Sequence, residues 1–133
     1  VVNKIDGYEF KVPREWDGLK SIEYFPKTTE GQYQVASINV VGIQGSSRFI
    51  AVDKFILEEG KDFDTTVQKI LEGNGLVSEL KKESLENFEV IKTQGVQGLG
   101  GLNITFFRTK NYIYAITGGL EEFTKEIILT GKW

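Results

Sequence analysis

The side chains that could do chemistry in this chain are carboxylates, lysines, serines and tyrosines, because the sequence contains neither histidine nor cysteine. This composition excludes Ser-His-Asp and Cys-His catalysis, thiol redox sites and the usual zinc sites. The pairs Glu58–Glu59 and Glu121–Glu122 are adjacent in sequence, so their side chains diverge and do not form the facing carboxylates of glycoside hydrolysis. Gly45–Ser47 lacks the Gly-x-Ser-x-Gly elbow, which leaves a serine with a lysine base open. We therefore expect no enzyme, no catalytic residue, no cofactor and no bound metal.

The segment 53–64 is the most acidic part of the chain. Its excess of negative charge equals the whole net charge of -3, so the rest of the sequence is balanced. The acids do not follow the alternating ligand spacing with a central glycine that a calcium loop requires. This favours a solvated loop leading into a helix over a cation site. The candidate partner-binding residues in it are Asp53, Glu58, Glu59 and Asp62.

Aromatic side chains are the second group of candidates, since exposed rings stack on sugars or anchor a protein partner. We single out Trp16, Tyr112 and Tyr114 as candidate ligand-binding residues. The alternative for Trp16 is that it closes the end of a sheet beneath the Pro13 turn, with its indole N–H on a carbonyl. Both interpretations stay open at this point.

The length of 133 residues, with 40% hydrophobic and 26% charged residues, is typical of one soluble globular domain spanning 1–133. The small net charge gives no reason to expect nucleic acid. No apolar run is long enough to cross a bilayer. The sequence has no methionine, so we expect a processed or trimmed chain. An export signal or a lipoprotein leader upstream is one explanation, and excision from a larger protein is the other.

The first half of the chain predicts strands over 7–12, 19–25 and 33–43, from alternation of apolar and polar residues. Residues 44–60 favour a helix over a short strand, because several apolar side chains fall at helical spacing. A clearer helix begins at Asp64 as N-cap and stops at Gly73–Gly75. Its apolar stripe consists of Phe63, Val67, Ile70 and Leu71.

The second half predicts strands over 76–82 and 88–97, then a hairpin formed by 102–108 and 112–117. A terminal helix follows, whose apolar stripe consists of Leu120, Phe123, Ile127 and Ile128. The order of elements predicts an α+β fold with a mostly antiparallel sheet flanked by helices.

The segment Gly7–Trp16 (GYEFKVPREW) resembles the opening of the PsbP-like superfamily, in which an aromatic, alternating strand runs into proline and then tryptophan. The hairpin Leu102–Thr117 and a terminal helix beginning near Phe123 are also similar to that family, whereas Gly131 departs from its closing pattern. The resemblance implies an α/β/α sandwich around an antiparallel sheet, often in secreted proteins or lipoproteins. It implies no single activity, and with no histidine present the family's metal and docking residues are not carried over.

We therefore expect a non-catalytic exported accessory or protein-binding module, located outside the cytoplasm and either secreted or lipid-anchored through an upstream segment. Its partner would be a protein or another envelope component, bound by the acidic segment 53–64 or by the turns at the sheet ends. The alternative is a small-ligand or carbohydrate-binding module that uses Trp16, Tyr112 and Tyr114.

Overall fold

A computed structural model describes residues 1–16, 20–25, 38–43, 48–97, 103–118 and 121–133 of the chain. Seven described strands form one sheet, in which every neighbouring pair is antiparallel. A separate two-stranded ribbon lies at the N-terminus. The α+β class with an antiparallel sheet is thus confirmed. The expectation of a single domain over 1–133 stays a prediction.

The described strands are β1 Val2–Asn3, β2 Tyr8–Glu9, β3 Lys20–Phe25, β4 Ile38–Ile43, β5 Phe49–Ile56, β6 Val77–Leu85, β7 Phe88–Gln97, β8 Ile104–Arg108 and β9 Tyr112–Gly118. Strands β1 and β2 form the ribbon, and the large sheet has the order β3-β4-β5-β9-β8-β7-β6. A 3₁₀ turn at Arg14–Trp16 follows the ribbon.

Two helices complete the described elements, α1 at Phe63–Gly73 and α2 at Glu121–Thr130. The predicted stripe of α1 is confirmed, because Phe63, Val67, Ile70 and Leu71 are all buried. On α2 the buried residues are Thr124, Ile127 and Ile128, while Phe123 is only half-buried. Neither described helix has the length and apolar character that crossing a membrane would require.

Each helix packs on a different face of the sheet. Alternation along β9 separates the faces, since Tyr114 belongs to one buried cluster and its neighbour Ala115 to the other. The α1 face contains Phe55, Phe63, Val67, Ile91, Phe106 and Ile113, and the α2 face contains Tyr8, Phe10, Val52, Phe107, Tyr114, Ile127 and Ile128. Residues of the sheet's central strands are therefore buried on both sides.

The chain ends meet on the α2 face. The backbone groups of Glu9 and Lys132 exchange two hydrogen bonds of 2.8 Å, which pair the ribbon with the residues after α2. The Trp133 ring lies against the rings of Phe107 and Tyr114, with centroids 4.8 and 4.9 Å away. Its indole Nε1–H donates to the Ile128 carbonyl at 3.0 Å. This aromatic cluster closes the core over the middle of the sheet.

The helix predicted within 44–60 is wrong, because Phe49–Ile56 form strand β5. This strand lies inside the sheet between β4 and β9 and is covered on both faces, so its apolar residues do not alternate. Phe49, Val52, Phe55 and Ile56 therefore fall at a spacing that imitates a helix.

The observed bounds of other elements differ less from the predicted ones. The strand predicted over 7–12 is reduced to Tyr8–Glu9, and β6 continues to Leu85 instead of ending at position 82. The β6–β7 hairpin turns tightly at Glu86–Asn87, and Glu86 has a positive φ of 52°. The predictions for 33–37, 44–47, 98–102 and Leu120 lie outside the described residues.

Gly118 ends β9 with a φ of 86°, a conformation that favours glycine. A Cβ atom at this position would lie 2.3 Å from the Phe49 carbonyl oxygen. Glycine therefore lets β9 approach β5 closely at its last residue.

The N-cap of α1 is Asp62, two residues before the predicted Asp64. Its Oδ2 accepts from the Thr65 hydroxyl at 3.0 Å and from the Thr65 N–H at 3.4 Å. We expect Asp62→Ala to lower the free energy of unfolding by about 1 kcal/mol, since an N–H of the first turn loses its acceptor. Urea unfolding measures this loss. Asp64→Ala is the comparison, and a larger loss there than at Asp62 would contradict the assignment of the cap.

Candidate functional site

A polar cleft of about 390 Å³ opens on the α2 face of the sheet, beside the start of α2. We call it the α2 cleft. Strands β6 to β9 provide its floor and the first turn of α2 one wall. Its described lining is Lys81, Glu83, Lys92, Thr93, Gln94, Asn103, Thr105, Ile116, Gly118, Glu121 and Thr124.

The floor is a single row of side chains that crosses four strands. Lys81 on β6 is paired with Lys92 on β7, Lys92 with Thr105 on β8, and Thr105 with Ile116 on β9. Directly paired residues on neighbouring strands point to the same face. Antiparallel register alone therefore brings together residues that are far apart in sequence.

Ion pairs hold the charged residues of the cleft in place. The Lys92 ammonium lies 2.9 Å from Glu83 Oε2 and 2.6 Å from Glu121 Oε1. The Lys81 ammonium lies 3.3 Å from the other oxygen of Glu83. The Lys92 side chain is 16% exposed, so it is the inner cation of the cluster. A like-charge cross-strand pair would be destabilising by itself, and the two glutamates neutralise it.

These contacts favour the charged forms of Lys92, Glu83 and Glu121. Burial acts to lower the pKa of Lys92, but its hydrogen bonds to Glu121 and Glu83 outweigh burial and the pKa is raised. The hydrogen bonds from Lys92 and Lys81 lower the pKa of Glu83. The hydrogen bond from Lys92 likewise lowers the pKa of Glu121. Two lysines and two glutamates therefore line the cleft as mutually paired charges.

Several neutral polar groups in the cleft have no partner among the residues that the structure describes. No hydrogen bond joins the side chains of Gln94, Asn103 or Thr105 to another described residue. Gln94 and Asn103 are exposed and Thr105 is half-buried. The cleft thus offers one hydroxyl and two amides to a polar ligand.

The aromatic candidates do not form an exposed binding surface. Trp16 is 3% exposed and Tyr114 is 1% exposed, and both belong to the buried cluster on the α2 face. Trp16 is thus buried, as the alternative interpretation held, and the exposure considered for Tyr114 is wrong, because the N-terminal ribbon, α2 and Trp133 cover this part of the sheet. Tyr112 is half-buried, and the Lys54 ammonium lies 4.0 Å from its ring centroid.

The rings of Tyr112 and Tyr114 both lie close to the ammonium group of Lys54. This lysine is only 6% exposed, and its ammonium donates to the Asp6 carbonyl in the turn between β1 and β2. The same ammonium lies 5.7 Å from the Tyr114 ring. Burial lowers the pKa of Lys54. The two tyrosine rings therefore serve a cation–π contact inside the protein.

The acidic candidates are not brought together either. Asp53 lies within β5, Glu58 and Glu59 are exposed in the connection to α1, and Asp62 caps that helix. The interpretation of 53–64 as a solvated loop is therefore wrong for Asp53, which belongs to a strand of the sheet. Its Oδ1 is buried without a hydrogen-bond partner among the described residues, and burial raises the pKa of Asp53 to about 7.

The described residues contain no group of three or more acids that could hold a metal ion. Comparison of the chain with protein-family models, with curated proteins and with solved structures finds no match in any of the three. Function must therefore be argued from the α2 cleft itself.

Proposed function

We propose that this chain is a non-catalytic binding module that holds a small polar ligand in the α2 cleft. The observation that carries the proposal is the ion-pair cluster in which Glu83 holds the lysines of the cleft beside the unpartnered side chains of Gln94, Asn103 and Thr105. Groups held in place before binding lose less conformational freedom when the ligand arrives. The lining is predominantly polar, so the ligand is recognised by hydrogen bonds and charge.

The protonation states of the cluster support a role without catalysis. A general acid or base works best with a pKa near the working pH. The pKa values of Glu83 and Glu121 are lowered and that of Lys92 is raised, so all three are moved away from neutrality. The hydroxyl groups in the described lining belong to threonines, and the lysines beside them are ion-paired.

The proposal includes membership of the PsbP-like superfamily and an exported location. The resemblance of Gly7–Trp16 supports the family, and so does an antiparallel sheet with one helix on each face. Fractionation of cells that express the intact gene tests the location. We expect the protein in the envelope or secreted fraction, and its recovery with the cytosol would contradict export.

Docking to a protein or another envelope component is the second candidate function. Two exposed apolar side chains on the N-terminal ribbon favour it, Val2 at 60% and Ile5 at 78% exposure. Isolated apolar side chains are common on protein surfaces, so this observation is weaker than the cleft. Ile5→Glu separates the candidates, because it would disrupt docking and leave ligand binding in the cleft unchanged.

Ligand-induced thermal stabilisation tests the proposed function. The probes are neutral polyols, zwitterionic amino acids and small organic acids, each titrated into the whole chain. We expect one class to raise Tm, since a ligand that binds only the folded state stabilises it. Absence of a shift with all three classes would contradict the proposal.

A matched pair of variants locates the binding site. Lys81 lines the α2 cleft, whereas its neighbour Lys82 belongs to the opposite face and pairs with Asp64. We expect Lys81→Gln to weaken binding about tenfold, the effect of losing one charge-assisted hydrogen bond, and Lys82→Gln to change it little. Equal effects of the two variants would place the ligand elsewhere.

A further inference from the structure

The two lysines of the α2 cleft keep hydrogen-bond donors that no described residue accepts. An ammonium group has three N–H donors, and described carboxylates occupy two of those on Lys92. The Lys81 ammonium has one described carboxylate partner, which leaves two of its donors for a ligand. The amides of Gln94 and Asn103 and the hydroxyl of Thr105 add further donors. The amides and the hydroxyl can also accept, so the lysine donors are the groups that favour a ligand with acceptor oxygens.

Ion pairs restrain the carboxylates of Glu83 and Glu121 to different extents. The Glu83 side chain is 30% exposed and lies between two lysines. The Glu121 side chain is 68% exposed, and its second cation, Lys125, is 3.9 Å away. Exposed ion pairs contribute little stability, so the Glu121 carboxylate can leave Lys92 at small cost. Its present position also shows that the rim beside Lys92 accommodates an oxyanion.

Resting on the function proposed above, we propose that the α2 cleft binds an oxyanion, a carboxylate or phosphate of a small polar molecule, which displaces the Glu121 carboxylate from Lys92. Glu121 is then an internal competitor that lowers the affinity for the ligand. Lys81 and Lys92 supply the charge. Gln94, Asn103 and Thr105 bind the remaining oxygens.

Calorimetric titration of the whole chain with citrate, with inorganic phosphate and with sorbitol tests this proposal. Glu121→Gln removes the competing carboxylate and should tighten anion binding about fivefold, the effect of an exposed ion pair. Glu122→Gln is the matched control, because Glu122 also lies in the first turn of α2 but is absent from the cleft lining. It removes the same charge and should change the affinity less than about twofold. Citrate and phosphate distinguish a carboxylate from a phosphate ligand.

The outcomes separate the oxyanion proposal from the proposed function. Binding of citrate or phosphate that tightens in Glu121→Gln, and not in Glu122→Gln, supports both. Binding of sorbitol alone, or equal effects of the two variants, overturns the oxyanion proposal and leaves a polar-ligand cleft. If none of the three probes binds to the wild type or to Glu121→Gln, the oxyanion proposal is overturned. The proposed function is then decided by the wider ligand panel described above. Lys81→Gln checks the cation side and should weaken anion binding while the protein stays folded.

Discussion

Trp133→Ala is expected to lower the free energy of unfolding by about 3 kcal/mol, which corresponds to a fall in Tm of roughly 10 °C for a chain of this size. The Trp133 ring contacts the rings of Tyr8, Phe10, Phe107 and Tyr114, with centroid distances between 4.8 and 6.2 Å. Its removal exposes the rings beneath this half-buried side chain and leaves the Ile128 carbonyl without the indole donor. Urea unfolding followed by circular dichroism measures the loss.

Two control variants separate packing from hydrogen bonding and from surface effects. Trp133→Phe keeps an aromatic ring but loses the donor to Ile128, so we expect a smaller loss of about 1–2 kcal/mol. Ile5→Ala removes an apolar side chain that is 78% exposed and should leave stability nearly unchanged. A loss at Trp133→Ala no greater than that at Ile5→Ala would show that the aromatic cluster contributes little to the fold.

Asp53→Asn is expected to stabilise the protein at alkaline pH. The Asp53 side chain has a buried oxygen without a hydrogen-bond partner among the described residues, and burial raises its pKa to about 7 from an ordinary 3.8. The folded state therefore binds this proton more tightly than the unfolded state does. Stability from Asp53 is fully present below pH 3.8 and is lost as the pH rises to about 7. Above about pH 7 Asp53 is charged in both the folded and the unfolded state, and the burial of this charge lowers the free energy of unfolding by an amount that no longer changes with pH.

The measurement compares the wild type with Asp53→Asn at about pH 5.5 and about pH 8.5. The gain in the free energy of unfolding should be about 2 kcal/mol larger at the higher pH, because only the wild type loses a proton from this site. Glu83 and Glu121, whose pKa values are lowered, act in the opposite direction but cancel in the comparison. Glu59→Gln removes a carboxylate from the exposed connection and is the control for the change in net charge. A gain at Asp53 that does not depend on pH would contradict its burial as a carboxyl with a raised pKa.

Local patterns predict most of the described elements of this fold but miss strand β5. The α1 stripe, the whole of β7 at Phe88–Gln97 and the β8–β9 hairpin follow from periodicity and turn residues. Strand β5 does not, because both of its faces are buried and its pattern loses the period of two. The number of layers that cover a strand is a property of the tertiary structure.

Site residues were harder to predict than helices and strands, because the exposure of a side chain is also a property of the tertiary structure. Trp16 and Tyr114 are of residue types that also fill cores, and in this protein they do so. The acidic segment was selected by charge in a window of sequence, but Asp53 and Asp62 lie in different elements with different roles. Composition within a window does not determine which side chains share a surface.

The α2 cleft was missed, although the sequence contained a usable signal. The predicted strands over 76–82 and 88–97 place Lys81 and Lys92 on strands joined by a short connection. Their direct pairing depends on the two-residue turn at Glu86–Asn87. The predicted strand bounds instead leave a longer connection over 83–87, which does not predict that Lys81 pairs with Lys92. The ion-pair cluster on Lys92 was therefore not predicted. The partner of Lys92 on α2, Glu121, depends on helix docking and has no local signal.

The most direct test of the central claim is an NMR titration of the whole, isotope-labelled chain with citrate and with the other polar probes. Our account predicts shifts in the amide resonances of Lys81, Lys92, Thr105 and Glu121, which lie on four elements around the α2 cleft. The amides of α1, which packs on the opposite face of the sheet, should stay unchanged. Shifts confined to the aromatic cluster or to the acidic connection, or no shifts with any probe, would contradict it.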